Sequence, residues 1–250
     1  MTNTVQRVKR AIQVGVSKLG YRIVSLPKPG SEYSAAVPMA TYAPWNVDAE
    51  FQAVYKVIPG NTLVDIYRCW ELWKLVEQTA HRDGAIIEVG VWRGGTGGLL
   101  ARRSALCGRR DPVYLCDTFE GVVKAGARDT RYHGGEHADT SVIEVERVLA
   151  AVEVANVRIL KGIFPDHTAH LIPANERFRF CHIDVDVYQS ANDVMAWVWP
   201  RLVPGGIVVF DDYGFRACRG VTDLVNEMSQ QDRLVLHNLN GHAVAVKIGE

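Results

Sequence analysis

The stretch AIIEVGVWRGGTGG, residues 85–98, joins a short apolar run to a glycine-rich turn and the start of a helical pattern. It predicts a buried strand, a turn where the backbone can approach a ligand closely, and a helix whose first N–H groups face that ligand. The turn is not GxGxxG, because Val91 and Trp92 follow Gly90, which disfavours a dinucleotide pyrophosphate. Glu88, just before the turn, suits a ligand that carries an amine or another cation.

Outward from this stretch, short apolar runs alternate with helical patterns, which is typical of a parallel sheet with crossover helices. Further strands are expected at residues 112–117, 156–162, 179–185 and 205–212, followed by an antiparallel pair at 233–239 and 242–248. Helices are expected near residues 96–107, 140–151, 165–172, 190–200 and 219–229. The pattern therefore predicts an α/β, Rossmann-like sheet that is mostly parallel and ends in an antiparallel hairpin.

The first part of the chain differs in composition from the rest. A helical pattern with apolar residues on one side and basic residues beside them leads into a proline-rich connector at residues 25–45. We predict a helical and extended segment at residues 1–58, acting as a cap, a dimerisation element or a contact with an anionic membrane surface. The catalytic domain is expected at residues 59–250, opening with a helix whose start signal is Thr62 with Asp65 three residues later.

The overall composition excludes several classes of partner. The 28 basic and 28 acidic residues cancel, so no nucleic-acid partner is expected. No apolar run approaches the roughly 18 residues of a membrane span, which predicts no stable membrane insertion, although peripheral contact stays possible. Five dispersed cysteines without a CxxC motif indicate buried, reduced thiols in a cytoplasmic protein.

Acidic residues stand at the ends of the predicted strands, where ligands bind in open sheets of this type. Asp117 ends the second strand and can accept hydrogen bonds from two ribose hydroxyls. Together with Glu88 it would suit a nucleoside that lacks phosphates and carries an amino acid tail. S-adenosylmethionine is such a molecule, and it is the predicted cofactor.

Four further aspartates follow two later strands. Asp184 and Asp186 lie in HIDVDVYQS, and Asp211 and Asp212 lie in GGIVVFDDYG. Carboxylates that converge at one end of a sheet repel each other and lose hydration, so they need a cation or a shared proton. A site made only of oxygen ligands predicts Mg²⁺.

The segment HGGEHAD, residues 133–139, carries two histidines at a spacing that could bind a metal on a helix. Its two glycines indicate a loop instead, so zinc is disfavoured. We predict a mobile lid at residues 120–139 that closes over the site and offers a histidine to the substrate. The residues expected on the substrate side are His133, His137, Tyr188 and Tyr213.

Six motifs together resemble the macrocin O-methyltransferase family over about residues 60–230: TLVDIYRCWELW, IEVGVWRGGTG, CDTFEG, KGIFPD, HIDVDVYQS and PGGIVVFDDYG. The resemblance implies a seven-stranded class I methyltransferase sheet and an enzyme that depends on S-adenosylmethionine and Mg²⁺. It also implies a sugar hydroxyl as acceptor, on a glycosylated natural product or a cell-surface glycan precursor. One departure is the segment after FEG, which lacks the proline expected there and bears on acceptor identity.

Carried over residue by residue, the resemblance implies three metal ligands, Asp184, Asp211 and Asp212, and Asp186 as general base. The KGIF segment is expected near the adenine, and the start of the first catalytic-domain helix near the methionine end. The residues predicted around the cofactor are Thr62, Leu63, Glu88, Gly90, Thr96, Asp117, Thr118, Phe119, Gly162 and Ile163.

Two other enzyme classes share parts of this pattern. A phosphotransferase of the haloacid-dehalogenase type would use Asp184 as nucleophile, but no lysine lies between Asp184 and Asp211 to steady an aspartyl phosphate. A catechol-type O-methyltransferase has the same cofactor and metal logic, but it would place a lysine base at position 187, which is Val187. Under either methyltransferase interpretation, the partner is a small molecule and we expect a homo-oligomer.

Overall fold

The computed structural model describes residues 2–21, 23–24, 30–34, 40–228, 233–238 and 240–249. The chain forms two compact units, Met1–Tyr42 and Ala43–Glu250. The division therefore lies between Tyr42 and Ala43 and not at the predicted residue 58. The reason is packing, since Phe51 and Ile58 are buried in the same core cluster as Trp73.

The N-terminal unit contains helix α1, Thr2–Ser17, as the helical pattern predicts. Several of its apolar side chains are solvent-exposed, among them Val8 and Ile12. The predicted connector lies partly outside the described residues, and Pro44–Asn46 at its end form a short 3₁₀ turn. Within the described ranges, the helices are too short or too polar to cross a membrane. The role of the N-terminal segment stays a prediction.

The larger unit is built on one seven-stranded sheet. Its strands are β1 (Ala85–Val89), β2 (Val113–Asp117), β3 (Val157–Lys161), β4 (Phe178–Ile183), β5 (Leu202–Phe210), β6 (Arg233–His237) and β7 (Ala243–Lys247). They lie in the order β3-β2-β1-β4-β5-β7-β6. Strands β1 to β5 are parallel, while β7 runs antiparallel to both β5 and β6. The predicted sheet, including its antiparallel end, is confirmed.

In the part of the chain that the structure describes, six helices accompany the sheet: α2 (Ala49–Tyr55), α3 (Ile66–Thr79), α4 (Gly95–Leu106), α5 (Val142–Ala151), α6 (Tyr188–Val198) and α7 (Arg219–Glu227). The start predicted at Thr62 is wrong, because Asp65 caps α3 by accepting from the N–H groups of Tyr67 and Arg68. The hydroxyl of Thr62 instead accepts from the N–H of Val64 in the preceding turn.

The helix predicted at residues 165–172 is also wrong. Only Ala169–Leu171 form a 3₁₀ turn there. Pro173 disfavours the helical conformation of the residue before it, and Ile172 is accordingly extended, with φ −95° and ψ 132°. The segment is therefore too short between its two prolines to sustain an α-helix.

Helices cover both faces of the sheet, as a parallel sheet requires. Helices α6 and α7 pack on the face that carries Tyr114 and Phe178. Helices α2 to α5 pack on the opposite face, around Trp73. Strand order reverses on either side of β1, which lies between β2 and β4, so the crevice for a ligand opens at the carboxyl ends of these strands.

Candidate active site

A cavity of about 270 Å³ opens at the carboxyl ends of the parallel strands. Its walls come from the loops after β1, β2, β4 and β5 and from the turn before α3. Most of the predicted site residues line it: Thr62, Leu63, Gly90, Thr96, Asp117, Thr118, His137, Gly162, Asp184, Asp186, Asp211 and Asp212. One cavity thus joins the glycine-rich turn to the aspartate cluster.

Gly90 allows the loop after β1 to pass close to the loop after β4. Its φ is +89°, in the left-handed region that favours glycine. A Cβ on this residue would lie 1.7 Å from the carbonyl oxygen of Asp184. The close approach brings the backbone of the turn next to the aspartates.

Replacing Gly90 with alanine is expected to lower the free energy of unfolding by more than about 3 kcal/mol, because both backbones must separate. Gly108 is the matched control, since its φ is +75° and nothing lies within 4 Å of its added Cβ. Gly108→Ala adds only conformational strain, about 1 to 2 kcal/mol. Urea unfolding of both variants measures the difference, and equal losses would contradict the packing argument.

Asp117 holds the glycine-rich turn in shape. Its Oδ2 accepts hydrogen bonds from the N–H groups of Val91 and Trp92, at 2.7 and 2.8 Å, and its Oδ1 accepts from that of Phe119 at 2.7 Å. Trp92 and Phe119 both adopt positive φ, 48° and 55°. The carboxylate therefore supports two strained residues while its side chain lines the cavity.

Asp117→Asn is expected to weaken S-adenosylmethionine binding by about tenfold to a hundredfold, because an amide has only one oxygen for these donors. Asp139→Asn is the matched control. Asp139 contacts the same turn through the indole Nε1 of Trp92, at 3.0 Å, but it lies on the exposed side. Calorimetry measures the S-adenosylmethionine affinity of both variants, and an equal loss of affinity in the two would contradict a specific role for Asp117.

Glu88 does not line the cavity. Side chains alternate along β1, so Glu88 points with Ile86 toward the α4 side. It is fully buried, its Oε1 lies 2.9 Å from Nδ1 of His182, and its Oε2 lies against the space that Gly97 leaves without a side chain. The prediction of direct ligand contact is therefore corrected, because this carboxylate lies behind the turn.

The predicted metal ligands come together. One carboxylate oxygen from each of Asp184, Asp211 and Asp212 lies within 4.8 Å of the others. Burial and the neighbouring carboxylates raise the pKa of Asp184 and of Asp212 well above the ordinary value. A cluster of closely spaced carboxylate oxygens that repel each other fits a hard divalent cation such as Mg²⁺.

Asp211 has partners that the other two lack. Its Oδ2 contacts Nη1 of Arg68, and its Oδ1 lies 2.8 Å from Nε2 of His242 and 3.4 Å from Nε2 of His182. Burial alone would raise the pKa of Asp211, but these neighbours lower it far below its usual range. Burial alone would lower the pKa of His182, but Asp211 and Glu88 raise it to about 10.

Asp186 occupies an unusual backbone position next to the cluster. Its φ is +65°, and its N–H donates to Oδ2 of Asp212 at 2.8 Å. Around its carboxylate lie the hydroxyl of Tyr132, the thiol of Cys218 at 3.6 Å and Nε2 of His137 at 3.9 Å. Burial raises the pKa of Asp186, which favours its acting as a proton acceptor.

The family model described as macrocin-O-methyltransferase (TylF) matches residues 39–244, most of the chain and all of this site. The protein belongs to the macrocin O-methyltransferase family. Membership makes it an O-methyltransferase, so the phosphotransferase interpretation is wrong.

Two curated relatives support the macrocin O-methyltransferase assignment. The chain is 33% identical to 8-demethyl-8-(2,3-dimethoxy-alpha-L-rhamnosyl)-tetracenomycin-C 4'-O-methyltransferase of Streptomyces olivaceus, covering 68% of this chain and 72% of that one. It is 31% identical to mycinamicin III 3''-O-methyltransferase of Micromonospora griseorubida, covering 69% and 76%. Among solved structures, the O-methyltransferase NovP has the same fold, with a TM-score of 0.64 at 24% identity over 76% of this chain and 83% of that one.

In this macrocin O-methyltransferase, the loop at residues 120–139 forms one wall of the cavity through Gly121, Val122, Tyr132 and His137. The loop is anchored to α6 by an ion pair. Nζ of Lys124 lies 2.7 Å from Oδ2 of Asp193 in α6. His137 of this loop lines the cavity, whereas the mobility of the loop, its closure over the site and the approach of a histidine to the substrate stay predictions.

Besides Glu88, five predicted residues lie outside the cavity wall. Phe119 packs in the core. The hydroxyl of Tyr188 donates to Glu227 at 2.9 Å, and that of Tyr213 donates to Asn226 at 3.1 Å. The other two are His133, an exposed residue at the loop tip, and Ile163. Wall residues that the sequence analysis missed include Arg68, Trp92, Tyr132, Phe215 and Cys218.

Proposed function

We propose that this protein transfers the methyl group of S-adenosylmethionine to a sugar hydroxyl of a glycosylated small molecule, with Mg²⁺ as cofactor. The observation that carries the proposal is the shared cavity. One side is the glycine-rich turn held by Asp117, and the other is the cluster of Asp184, Asp211 and Asp212 beside Asp186. A cofactor and an acceptor can therefore meet in one space.

The cofactor side is assigned to the turn after β1 and to the loops after β2 and β3. The methyl donor supplies an electrophilic carbon on a sulfonium. Thr96 in the first turn of α4 and Gly90 offer backbone close to the ligand, and Asp117 stands where an acidic side chain can accept from ribose hydroxyls. Thr62 and Leu63, which also line the cavity beside the first turn of α4, are assigned to the methionine end.

The acceptor side is assigned to the acidic cluster. Asp184, Asp211 and Asp212 would hold Mg²⁺, which supplies Lewis acidity that lowers the pKa of a bound hydroxyl. Asp186 takes the hydroxyl proton on its carboxylate as the oxygen bonds to the methyl carbon and the carbon–sulfur bond breaks, with S-adenosylhomocysteine as the leaving group. The bond from the Asp186 N–H to Asp212 keeps this residue at the edge of the cluster. The loop at residues 120–139 excludes water from this side.

The printed activities of the relatives support a glycoside as acceptor. Two of them are named for methylation at the 4' position of a rhamnosyl-tetracenomycin and the 3'' position of mycinamicin III. A third, 29% identical, is named as a demethyldecarbamoylnovobiocin O-methyltransferase of Streptomyces niveus. We therefore assign a sugar hydroxyl of a glycosylated natural product or of a cell-surface glycan precursor, whose two vicinal hydroxyls the metal would bind.

The test is a methyl-transfer assay with S-adenosylmethionine and MgCl₂ over deoxysugar glycosides, free nucleotide sugars and a catechol. We expect a glycoside product that is heavier by one methylene, and loss of product when EDTA removes the metal. Methylation of the catechol alone would overturn the sugar acceptor. Undiminished transfer after exhaustive chelation would overturn the metal requirement, and light scattering on the same sample tests the expected homo-oligomer.

A further inference from the structure

Arg68 is a buried cation inside the acidic cluster. It lies in the first turn of α3, is 7% exposed, and lines the cavity with the aspartates. Its Nη1 contacts Oδ2 of Asp211. The positive charge that the aspartates require is therefore partly supplied by the chain itself.

The two oxygens of Asp211 have different partners. Oδ1 faces both buried histidines, with Nε2 of His242 at 2.8 Å and Nε2 of His182 at 3.4 Å. The oxygen left for a metal ion is then Oδ2, and Arg68 already holds it. Two cations at about 4 Å repel each other strongly where water is excluded. A metal ion and the Nη1 contact therefore compete for the same oxygen.

Arg68 has other contacts that would keep it in place after that contact is lost. Its Nε lies 2.8 Å from Oδ2 of Asp65, its Nη2 lies 3.5 Å from the carbonyl oxygen of Leu63, and its guanidinium carbon lies 4.8 Å from the ring centre of Phe215. A small rotation can release Nη1 while the ion pair with Asp65 persists.

We propose that Arg68 is the internal counter-ion of the acidic cluster, neutralising Asp211 in the metal-free protein and losing this contact when the divalent cation binds. The inference rests on the metal site of the proposed function. Arg68 then has a positioning role. It stabilises the closely spaced carboxylates when no metal is bound, and it weakens the affinity of the cluster for the metal.

The test measures Mg²⁺ binding by calorimetry and thermal unfolding with and without Mg²⁺, in the purified full chain. Arg68→Met is expected to bind Mg²⁺ about tenfold more tightly or better, because the competing charge is gone. Its Tm without metal falls below that of wild type, and its gain in Tm on adding Mg²⁺ exceeds the wild-type gain. Neither readout depends on catalysis.

Arg103→Met is the matched control. Arg103 is also nearly buried, lies 4.7 Å above the ring of Trp73, and pairs with Glu50 and Glu77 away from the aspartates. This variant loses stability but keeps the wild-type Mg²⁺ affinity. Arg68→Lys retains a charge and should stay close to wild type, while Arg68→Gln replaces the methionine variant if that one does not fold.

The outcomes separate this inference from the proposed function. If wild type binds Mg²⁺ and the neutral variant that folds, Arg68→Met or Arg68→Gln, binds it no more tightly, Arg68 is not a competing counter-ion. If wild type binds no Mg²⁺, or Asp184→Asn binds it as wild type does, the metal site itself is wrong and the proposed function loses its metal. Tighter binding in Arg103→Met as well would indicate a general charge effect and would also overturn the assignment to Arg68.

Discussion

Replacing Asp186 with asparagine is expected to lower kcat for methyl transfer by about 10² to 10⁴, the usual range for loss of a general base. The amide cannot accept the hydroxyl proton. The backbone should be unaffected, because asparagine tolerates the positive φ of 65° as well as aspartate does. The N–H bond to Oδ2 of Asp212 does not involve the side chain and is retained.

The measurement combines steady-state kinetics with calorimetry. Cofactor and Mg²⁺ affinities of Asp186→Asn should stay within about threefold of wild type, since the altered group only borders the cluster. Asp83→Asn is the control, because it removes a fully exposed carboxylate that pairs with Arg109 at 3.0 Å and leaves both the aspartate cluster and the loop at residues 120–139 intact. Wild-type kcat in Asp186→Asn would exclude this residue as the base. The next candidate is then His137, whose Nε2 lies 3.9 Å from Oδ2 of Asp186.

Asp184→Asn is expected to have two opposite effects. Mg²⁺ affinity falls by at least about a hundredfold, because a charged ligand is lost from a three-carboxylate site. In chelator, however, the variant is more stable than wild type by about 1 to 3 kcal/mol, because a partly buried, repelled carboxylate has been removed. We therefore expect Asp184 to lower the stability of the metal-free protein and to strengthen the binding of Mg²⁺.

The pH dependence of that difference has a definite sign. The pKa of Asp184 is raised above its ordinary value, chiefly by burial and then by Asp211 and Asp212. Its ionisation therefore removes stability as pH rises above about 4, where the unfolded carboxyl ionises. The advantage of the variant should grow from pH 4 to pH 7 in EDTA and vanish below pH 4. A variant less stable than wild type at pH 7 in EDTA would contradict the electrostatic account.

Much of the fold was predictable because the signals are local. Apolar runs separated by helical patterns give the parallel strands, and the glycines of residues 90–98 give the turn. The meeting of Asp184, Asp211 and Asp212 was predictable too, because the ends of neighbouring parallel strands share one edge. Strand register alone brings these residues together.

Other parts of the site depend on tertiary packing that the sequence does not display. Arg68 is 143 residues from Asp211, and only the packing of α3 against the sheet brings them into contact. His242 reaches the same carboxylate because β7 inserts between β5 and β6. Glu88 was misplaced for a related reason, since its buried partner His182 lies on β4 and turns it away from the cavity.

Ion pairs with residues outside the loop hold residues 120–139 in place. Lys124 pairs with Asp166 at 2.6 Å as well as with Asp193, and Arg128 pairs with Glu227 at 2.7 Å. The residues assigned to chemistry belong instead to the strand ends. We propose that this loop sets the acceptor preference, and we therefore expect acceptor preference and catalysis to be separable by recombination. A loop grafted from a relative needs its own ion-pair partners at positions 166, 193 and 227. Without them, the grafted loop will not pack in the position of residues 120–139.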